Sequence, residues 1–216
     1  MSHPLPGPGL YAVTPDWDDT DRLVAHAEQV LAGGAVMLQY RHTTASVRLR
    51  LTQATRLRQL CARWQRPFIV NDSIKLCIAV DADGVHLGRD DTPLAEARAW
   101  LGPERLIGAT CLDRIEHARA AERAGADYVA FGGFFASPRK PYAPTTPPAR
   151  IAEAVQQVRL PVTVIGGMTA NNCAPLIAQG ARWVAAIGAV FDCADSRVAA
   201  QAFTDRFAPA VQSSTL

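Results

Sequence analysis

The stretch PFIVNDSIKLCIAVDADGVHLGRDD, residues 67–91, carries the pattern that decides the fold. Two short apolar runs, residues 68–70 and 85–87, are partly β-branched and bounded by proline or glycine, which favours buried strands. The apolar residues between them predict a short helix. A parallel strand–helix–strand unit brings both strand C-termini to the same edge of a sheet.

Two aspartates follow the strands of this unit. Asp72 comes directly after the first strand, and Asp91 follows the second within a few residues. Two carboxylates that leave open positions suit Mg²⁺, whose coordination is usually completed by water and substrate phosphate. The sequence therefore predicts a Mg²⁺ site at Asp72 and Asp91, with helix capping by each aspartate as the alternative.

Strand and helix patterns alternate through the rest of the chain. The predicted strands lie at residues 10–14, 35–40, 68–70, 85–87, 106–110, 128–131, 161–165 and 183–187. Eight β/α units in 216 residues are typical of a (β/α)8 TIM barrel near its minimum size. A doubly wound sheet is the alternative, although no G-x-G-x-x-G follows the first strand. We expect one TIM-barrel domain over residues 1–216, with its core at about 9–208.

The composition limits the classes of partner. A net charge of +2 is too small to indicate nucleic acid, and it is compatible with an anionic small substrate. No apolar run reaches the length of a membrane span, and the N-terminus lacks the apolar core of a secretory signal. Five scattered cysteines without a C-x-x-C pair indicate reduced thiols. We therefore expect a cytoplasmic protein without a membrane or nucleic-acid partner; a homo-oligomer is compatible with the sequence.

Polar residues and glycines stand where the predicted strands end, which is where TIM barrels place their chemistry. They are Gln39, Arg41, Asn71, Asp72, His86, Asp91, Thr110, Gly166, Gly167 and Gly188, together with Ser137, Arg139 and Lys140 in the connection after strand six. Glycines after strands seven and eight let backbone N–H groups approach a phosphate. The set predicts an enzyme that acts on phosphorylated small molecules with Mg²⁺, through cations such as Arg41 and Lys140.

Single members of this set have simpler interpretations. Gly166 and Gly167 are also compatible with a tight turn, and Arg41 with a surface salt bridge. His86 alternates with apolar neighbours, which favours a hydrogen-bonded residue of the barrel interior over a general base. His42 and His117 are expected to be exposed to solvent.

These pieces together resemble the thiamin phosphate synthase family over almost the whole chain. The matching motifs are LYAVTPD, GGAVMLQYR, IVND, DGVHLGRDD, IGATC, GADYVAFGGFFASPRK and VIGGM, in this order. The resemblance implies a TIM barrel that joins a hydroxymethylpyrimidine diphosphate to a thiazole phosphate. The products would be thiamin phosphate and pyrophosphate, with the pyrophosphate leaving first under stabilisation by Mg²⁺ and cationic side chains.

The resemblance also assigns roles to individual positions. Gln39, Arg41 and Asn71 match the pyrimidine diphosphate motifs, Asp72 and Asp91 the Mg²⁺ ligands, and Thr110 a further contact to that substrate. Arg41, Thr110 and Lys140 are the predicted catalytic residues, with Lys140 on the diphosphate. Ser137, Pro138 and Arg139 match the loop at the thiazole phosphate, and Gly167, Ile187 and Gly188 match its phosphate site.

Two positions depart from the family pattern. Thr43 stands where a lysine is common, and Gly188 where serine is common. Two other functions stay open at this point. One is a thiazole tautomerase-like isomerase with a histidine that transfers protons, and the other is a non-catalytic thiamin-phosphate binder.

Overall fold

The computed structural model describes residues 5–136 and 146–207. Its strands are β1 Gly9–Val13, β2 Met37–Tyr40, β3 Phe68–Asn71, β4 Gly84–Leu87, β5 Leu106–Leu112, β6 Tyr128–Gly132, β7 Val162–Ile165 and β8 Trp183–Ala186. They pair in parallel and in chain order, and β8 closes onto β1. The predicted TIM barrel is confirmed.

Helices follow the strands around the outside of the barrel. They are α1 Thr20–Ala32, α2 Val47–Arg63, α3 Ile74–Ala79, α4 Leu94–Leu101, α5 Ile115–Arg123, α6 Ala149–Gln157, α7 Ala174–Ala178, α8 Gly188–Phe191 and α9 Ser196–Thr204, and a 3₁₀ turn spans Asp205–Phe207. The four-residue α8 has no counterpart in the sequence prediction. It begins directly after β8, at the same end of the barrel as the predicted site.

Alternation along the strands separates two apolar clusters. One fills the barrel interior and contains Tyr11, Val13, Met37, Ile69, Leu106, Tyr128, Trp183 and Ala185. The larger one lies between the strands and the helices. The Tyr40 side chain points from the barrel wall toward the helices, because its hydroxyl donates to Gln53 Oε1 of α2 at 2.9 Å. Its neighbour Gln39 points inward, so consecutive residues of β2 serve the two sides of the barrel wall.

The end of the barrel opposite the site is covered by the segment before β1. Arg182 Nη2 donates to the carbonyl of Pro6 at 2.7 Å, and the indole N–H of Trp183 donates to the carbonyl of Gly7 at 2.9 Å. Leu5 packs against the interior cluster. The bottom layer of the barrel is therefore completed by residues outside the eight strands.

Two further observations concern membrane-spanning helices and the state of the cysteines. Among the described helices, none is long and apolar enough to cross a membrane. The five cysteines, all within the described ranges, are free thiols.

Candidate active site

Arg41 is held at the mouth of the barrel by the end of β1. Its Nη1 lies 3.0 and 3.3 Å from the two carboxylate oxygens of Asp16. The same carboxylate accepts from the backbone N–H of Thr43 at 2.8 Å. Burial alone would raise the pKa of Asp16, but the Thr43 N–H and the Arg41 guanidinium outweigh it and lower that pKa. Asp16 is therefore ionised at neutral pH and fixes both the cation and the loop after β2.

The main chain at Arg41 is fixed as well. Thr14 Oγ1 accepts from the Arg41 N–H at 2.8 Å and donates to the Arg41 carbonyl at 2.9 Å. The backbone pairing of β1 and β2 ends at Val13 and Gln39. Just beyond it, the Thr14 hydroxyl makes the two hydrogen bonds to the Arg41 backbone that a paired strand would make. Because the backbone and the guanidinium of Arg41 are both bound to the segment that directly follows β1, Arg41 needs little reorganisation to meet an anion.

Asp72 and Asp91 come together as predicted. Their carboxyl groups are in hydrogen-bond contact. Partial burial, the hydrogen bond to Asp91 and the charge of Asp91 raise the pKa of Asp72 to about 6. Asp91 Oδ2 also accepts from the Gly88 N–H at 2.7 Å, while the Asp72 N–H bonds to the His86 carbonyl at 2.8 Å.

The capping alternative for the two aspartates is wrong. Ser73 is the N-cap of α3 and accepts from the Leu76 N–H, and Pro93 precedes α4. Asp72 has a φ of 60°, a left-handed conformation that turns its side chain away from the course of α3. The two carboxylates are thus available to each other rather than to helix ends.

The donor set fits a magnesium ion. Two adjacent carboxylates repel each other once both are ionised, and a divalent cation offsets that repulsion. Mg²⁺ is commonly bound by one or two carboxylates while phosphate and water supply the remaining ligands. Within residues 5–136 and 146–207, no group of three or more His, Cys, Asp or Glu side chains forms an all-protein metal cage.

A chain of hydrogen bonds crosses the barrel interior below the mouth. Gln39 Nε2 donates to Tyr11 Oη at 2.7 Å, and Tyr11 Oη lies 2.8 Å from Tyr128 Oη. Tyr128 Oη lies 3.1 Å from His86 Nδ1, and His86 Nε2 lies 2.9 Å from Thr110 Oγ1. The predicted site residues Gln39 and Thr110 are therefore the two ends of one buried polar chain.

Gly108 makes this chain sterically possible. A Cβ at this position would overlap both the Tyr128 ring and His86 Nδ1. The glycine of the IGATC motif is thus required by the approach of two side chains from the neighbouring strands.

His86 is a hydrogen-bonded interior residue, as the simpler interpretation held. It is buried, and both ring nitrogens have partners. Burial lowers its pKa to about 4, against a smaller opposing effect of Asp91. The imidazole is therefore neutral at physiological pH. The expectation for His42 is wrong: it is buried because its ring bonds to Asp18 and to the Ala45 N–H as the β2–α2 loop folds back.

Gly166 and Gly167 form a turn whose shape glycine alone suits. Gly167 has a φ of 63°, and a Cβ there would lie 2.5 Å from the Ala136 carbonyl. Gly166 has a φ of 110° and approaches Gly133 in the same way. Close packing of the turn after β7 against the segment after β6 thus explains both glycines without a ligand.

Gly188 differs from them. It opens α8 with an ordinary backbone conformation, and a Cβ there would meet the flexible end of Asp192 at 2.9 Å. Ile187 precedes it as the N-cap residue. The Ile187 carbonyl accepts from the N–H groups of Val190 and Phe191, which closes this short turn directly after β8.

Four of the predicted site residues, Ser137, Pro138, Arg139 and Lys140, lie outside the described residues. Asn71 ends β3, and its side chain lowers the pKa of Asp72 through a hydrogen bond. Asp16, Tyr11 and Tyr128 were not predicted as parts of the site. Only the position of Asp16 at the end of the first strand signalled it in the sequence.

A family described as thiamine monophosphate synthase matches residues 10–190. A thiamine-phosphate synthase of Janthinobacterium sp. (strain Marseille) is 50% identical over 200 residues, 93% of this chain and 97% of that protein. One of Thiobacillus denitrificans is 49% identical over 204 residues, 94% and 96% of the two chains.

Solved structures agree with these relatives. Thiamine phosphate pyrophosphorylase from Pyrococcus furiosus superposes with a TM-score of 0.83 at 31% identity. The superposition covers 92% of this chain and 94% of the Pyrococcus chain. A 3-hexulose-6-phosphate synthase superposes with a TM-score of 0.71 at 16% identity, over 91% of this chain and 99% of its own, which shows the fold alone.

The closed barrel and the polar groups at its mouth define a (β/α)8-barrel enzyme. The chain belongs to the thiamine monophosphate synthase family. It is accordingly a transferase of thiamine biosynthesis.

Proposed function

We propose that the barrel mouth joins a hydroxymethylpyrimidine diphosphate to a thiazole phosphate by dissociative substitution. The C–O bond to the diphosphate breaks first, and pyrophosphate carries away the electron pair. The thiazole nitrogen then donates its lone pair to the resulting pyrimidine carbocation. Thiamin phosphate and pyrophosphate are the products.

One observation carries this proposal. An anchored guanidinium and a pair of carboxyl groups in contact lie on adjacent units of the barrel, since Arg41 follows β2 and Asp72 follows β3. Their mutual influence is visible in the Asp72 carboxyl, whose pKa is raised mainly by burial and lowered by the charge of Arg41. A diphosphate placed between them meets both a cation and a metal-binding pair.

Stabilisation of the leaving group is the principal task. Negative charge grows on the diphosphate as the bond breaks, and preorganised cations lower that barrier. Arg41 supplies one such charge, held in place by Asp16. Asp72 and Asp91 would hold Mg²⁺, and the chemistry that the metal supplies when bound is neutralisation of diphosphate charge. Lys140 remains a predicted further cation from the sequence.

The two aromatic substrates occupy different sides of the mouth. Gln39, Asn71 and Thr110, which end or line β2, β3 and β5, are proposed to contact the pyrimidine diphosphate. Gly167, Ile187 and Gly188 are proposed to hold the thiazole phosphate, since they follow β7 and β8 at the same end of the barrel. Ser137, Pro138 and Arg139 are proposed to cover that phosphate on the strength of the sequence motif.

The alternative isomerase function fits this site less well. Proton transfer by a histidine needs a ring nitrogen that can reach the substrate. In His86 both ring nitrogens are engaged, by Tyr128 and Thr110, inside the barrel. His42 is likewise tied to Asp18 and Ala45.

An assay of the purified protein with both substrates and Mg²⁺ tests the proposal. We expect stoichiometric thiamin phosphate and pyrophosphate, loss of activity with EDTA and recovery with added Mg²⁺. Isomerisation of a thiazole phosphate without the pyrimidine substrate would support the tautomerase alternative. Tight binding of thiamin phosphate without turnover would support a non-catalytic binder. A cytoplasmic location stays a prediction from the scattered thiols, and the sequence remains compatible with a homo-oligomer.

A further inference from the structure

We propose that Tyr11, Tyr128 and His86 are positioning residues. In this proposal they form a one-directional hydrogen-bond relay that couples the orientation of the Gln39 amide to that of the Thr110 hydroxyl. The inference rests on the proposed function only in giving Gln39 and Thr110 a substrate to meet. The relay itself is a property of the protein without ligand.

Burial leaves the members of the relay few other partners. Tyr11 is 1% exposed and Tyr128 0% exposed, while Gln39 and His86 are 5% and 8% exposed. Burial raises the pKa of both tyrosines, so both hydroxyls keep their hydrogens at physiological pH. Each hydrogen bond of the relay needs one donor and one acceptor.

The direction of the relay follows from its first bond. Gln39 Nε2 can only donate, so Tyr11 Oη accepts from it. The hydrogen of Tyr11 then goes to Tyr128 Oη, because a buried hydroxyl hydrogen without an acceptor is costly. The hydrogen of Tyr128 goes in turn to His86 Nδ1, so the imidazole carries its proton on Nε2 and donates to Thr110 Oγ1.

This order fixes what both ends present at the mouth. Thr110 Oγ1 accepts from His86, so its own hydrogen is available to a ligand. Gln39 turns its Oε1 away from Tyr11. Reversing one bond forces the reversal of all, because each of the three inner groups has one hydrogen to give along the chain. The relay thus sets the donor and acceptor pattern at two positions on different strands.

The tautomer of His86 reports the direction of the relay. In protein labelled with ¹⁵N-histidine, the ¹⁵N shifts of the ring distinguish Nε2–H from Nδ1–H. The chain has five histidines, so a His86→Gln variant identifies the signal. We expect Nε2–H in the native protein. A native signal showing Nδ1–H would overturn the assigned direction.

Variants at Gln39 test the coupling. A carboxylate can only accept, so Gln39→Glu, measured well above the pH at which carboxyl groups ionise, should reverse the chain and move the proton to Nδ1. Gln39→Leu is the matched control; it removes the partner without supplying an acceptor and should keep Nε2–H. Adding Tyr11→Phe to Gln39→Glu should restore Nε2–H. An unchanged tautomer in folded Gln39→Glu protein overturns the relay.

Thr110→Val gives a second route if the Gln39→Glu variant fails to fold. It removes the acceptor of the Nε2 proton and should shift the side-chain amide resonances of Gln39. Adding Tyr11→Phe should abolish that shift. Gln39 side-chain amide resonances that are unchanged in Thr110→Val would also overturn the relay.

Kinetics separate the relay from the proposed function. Tyr11→Phe should raise KM for the pyrimidine diphosphate about tenfold, the scale of one hydrogen bond, and leave KM for the thiazole phosphate unchanged. If the tautomer responds as expected while both KM values stay constant, the relay holds and the substrate assignment of Gln39 fails. If the tautomer does not respond, the relay fails whatever the kinetics.

Discussion

The two carboxylate oxygens of Asp16 accept hydrogen bonds from Arg41 Nη1, at 3.0 and 3.3 Å. Asp16→Asn keeps the shape but removes the charge that holds the guanidinium. We expect kcat/KM for the pyrimidine diphosphate to fall about tenfold, because a hydrogen bond to a charged group is worth roughly 1.5–3 kcal/mol and this pair is partly exposed. Asp18→Asn is the control, since Asp18 bonds to His42 instead. Equal effects of the two substitutions would refute a specific role of Asp16.

Asp91→Asn should disable the metal site while the barrel survives. Turnover is expected to fall by about 10²-fold or more, the scale of losing one group that stabilises transition-state charge. A direct readout is the thermal shift with Mg²⁺. The metal should raise the Tm of the native protein and leave that of the variant unchanged. Near-native turnover of Asp91→Asn at saturating Mg²⁺ would remove Asp91 from the mechanism.

The carboxylate pair should also shape the dependence of stability on pH. Folded Asp72 keeps its proton up to about pH 6, whereas its ordinary pKa is 3.8. Between these values the folded protein binds more protons than the unfolded chain, so its contribution to the free energy of unfolding falls as pH rises. Asp91→Asn removes two of the causes of the raised pKa and should flatten that fall. Urea denaturation at several pH values between 4 and 6, without Mg²⁺, measures this fall. Identical pH slopes of the native protein and the variant would count against Asp91 as a cause of the raised pKa of Asp72.

The glycines that follow β7 and β8 should respond differently to substitution. Gly167→Ala puts a side chain at a φ of 63° and 2.5 Å from the Ala136 carbonyl, which should cost about 1 kcal/mol or more. The expected loss in Tm is roughly 2–4 °C per kcal/mol for a chain of this size. Gly188→Ser meets only the Asp192 side chain and should keep the Tm while changing KM for the thiazole phosphate. A Gly188→Ser variant with native KM would exclude this position from the phosphate site.

The resemblance leads us to expect that Arg139 supplies a positive charge that is missing at Thr43. Thr43 anchors Asp16 through its backbone N–H, which any residue retains, so Thr43→Lys should keep that contact. Arg139→Thr should lower turnover strongly, and Thr43→Lys should restore it, a clear non-additivity. A harmless Arg139→Thr substitution would end the compensation hypothesis.

The sequence predicted the parts of the site that depend on strand order. Asp72 and Asp91 were expected to meet because parallel neighbours end at one edge, and they do. Contacts across the barrel were beyond reach, because Tyr11 and Tyr128 lie 117 positions apart and touch only once the sheet closes. The helix α8 was missed because four residues carry no periodicity. Capping by Asp72 and exposure of His42 were misjudged because both depend on how a loop turns.

The cover formed by residues 5–7 has a consequence for engineering. Trp183 and Arg182 donate to carbonyls that precede the first strand, so the barrel is sealed by a piece of chain that topology diagrams omit. In a circular permutant opened between this segment and β1, residues 5–7 would be at the opposite terminus of the chain and no longer joined to β1. New termini placed in an α-helical connection elsewhere would leave the segment joined to β1 and the plug in place.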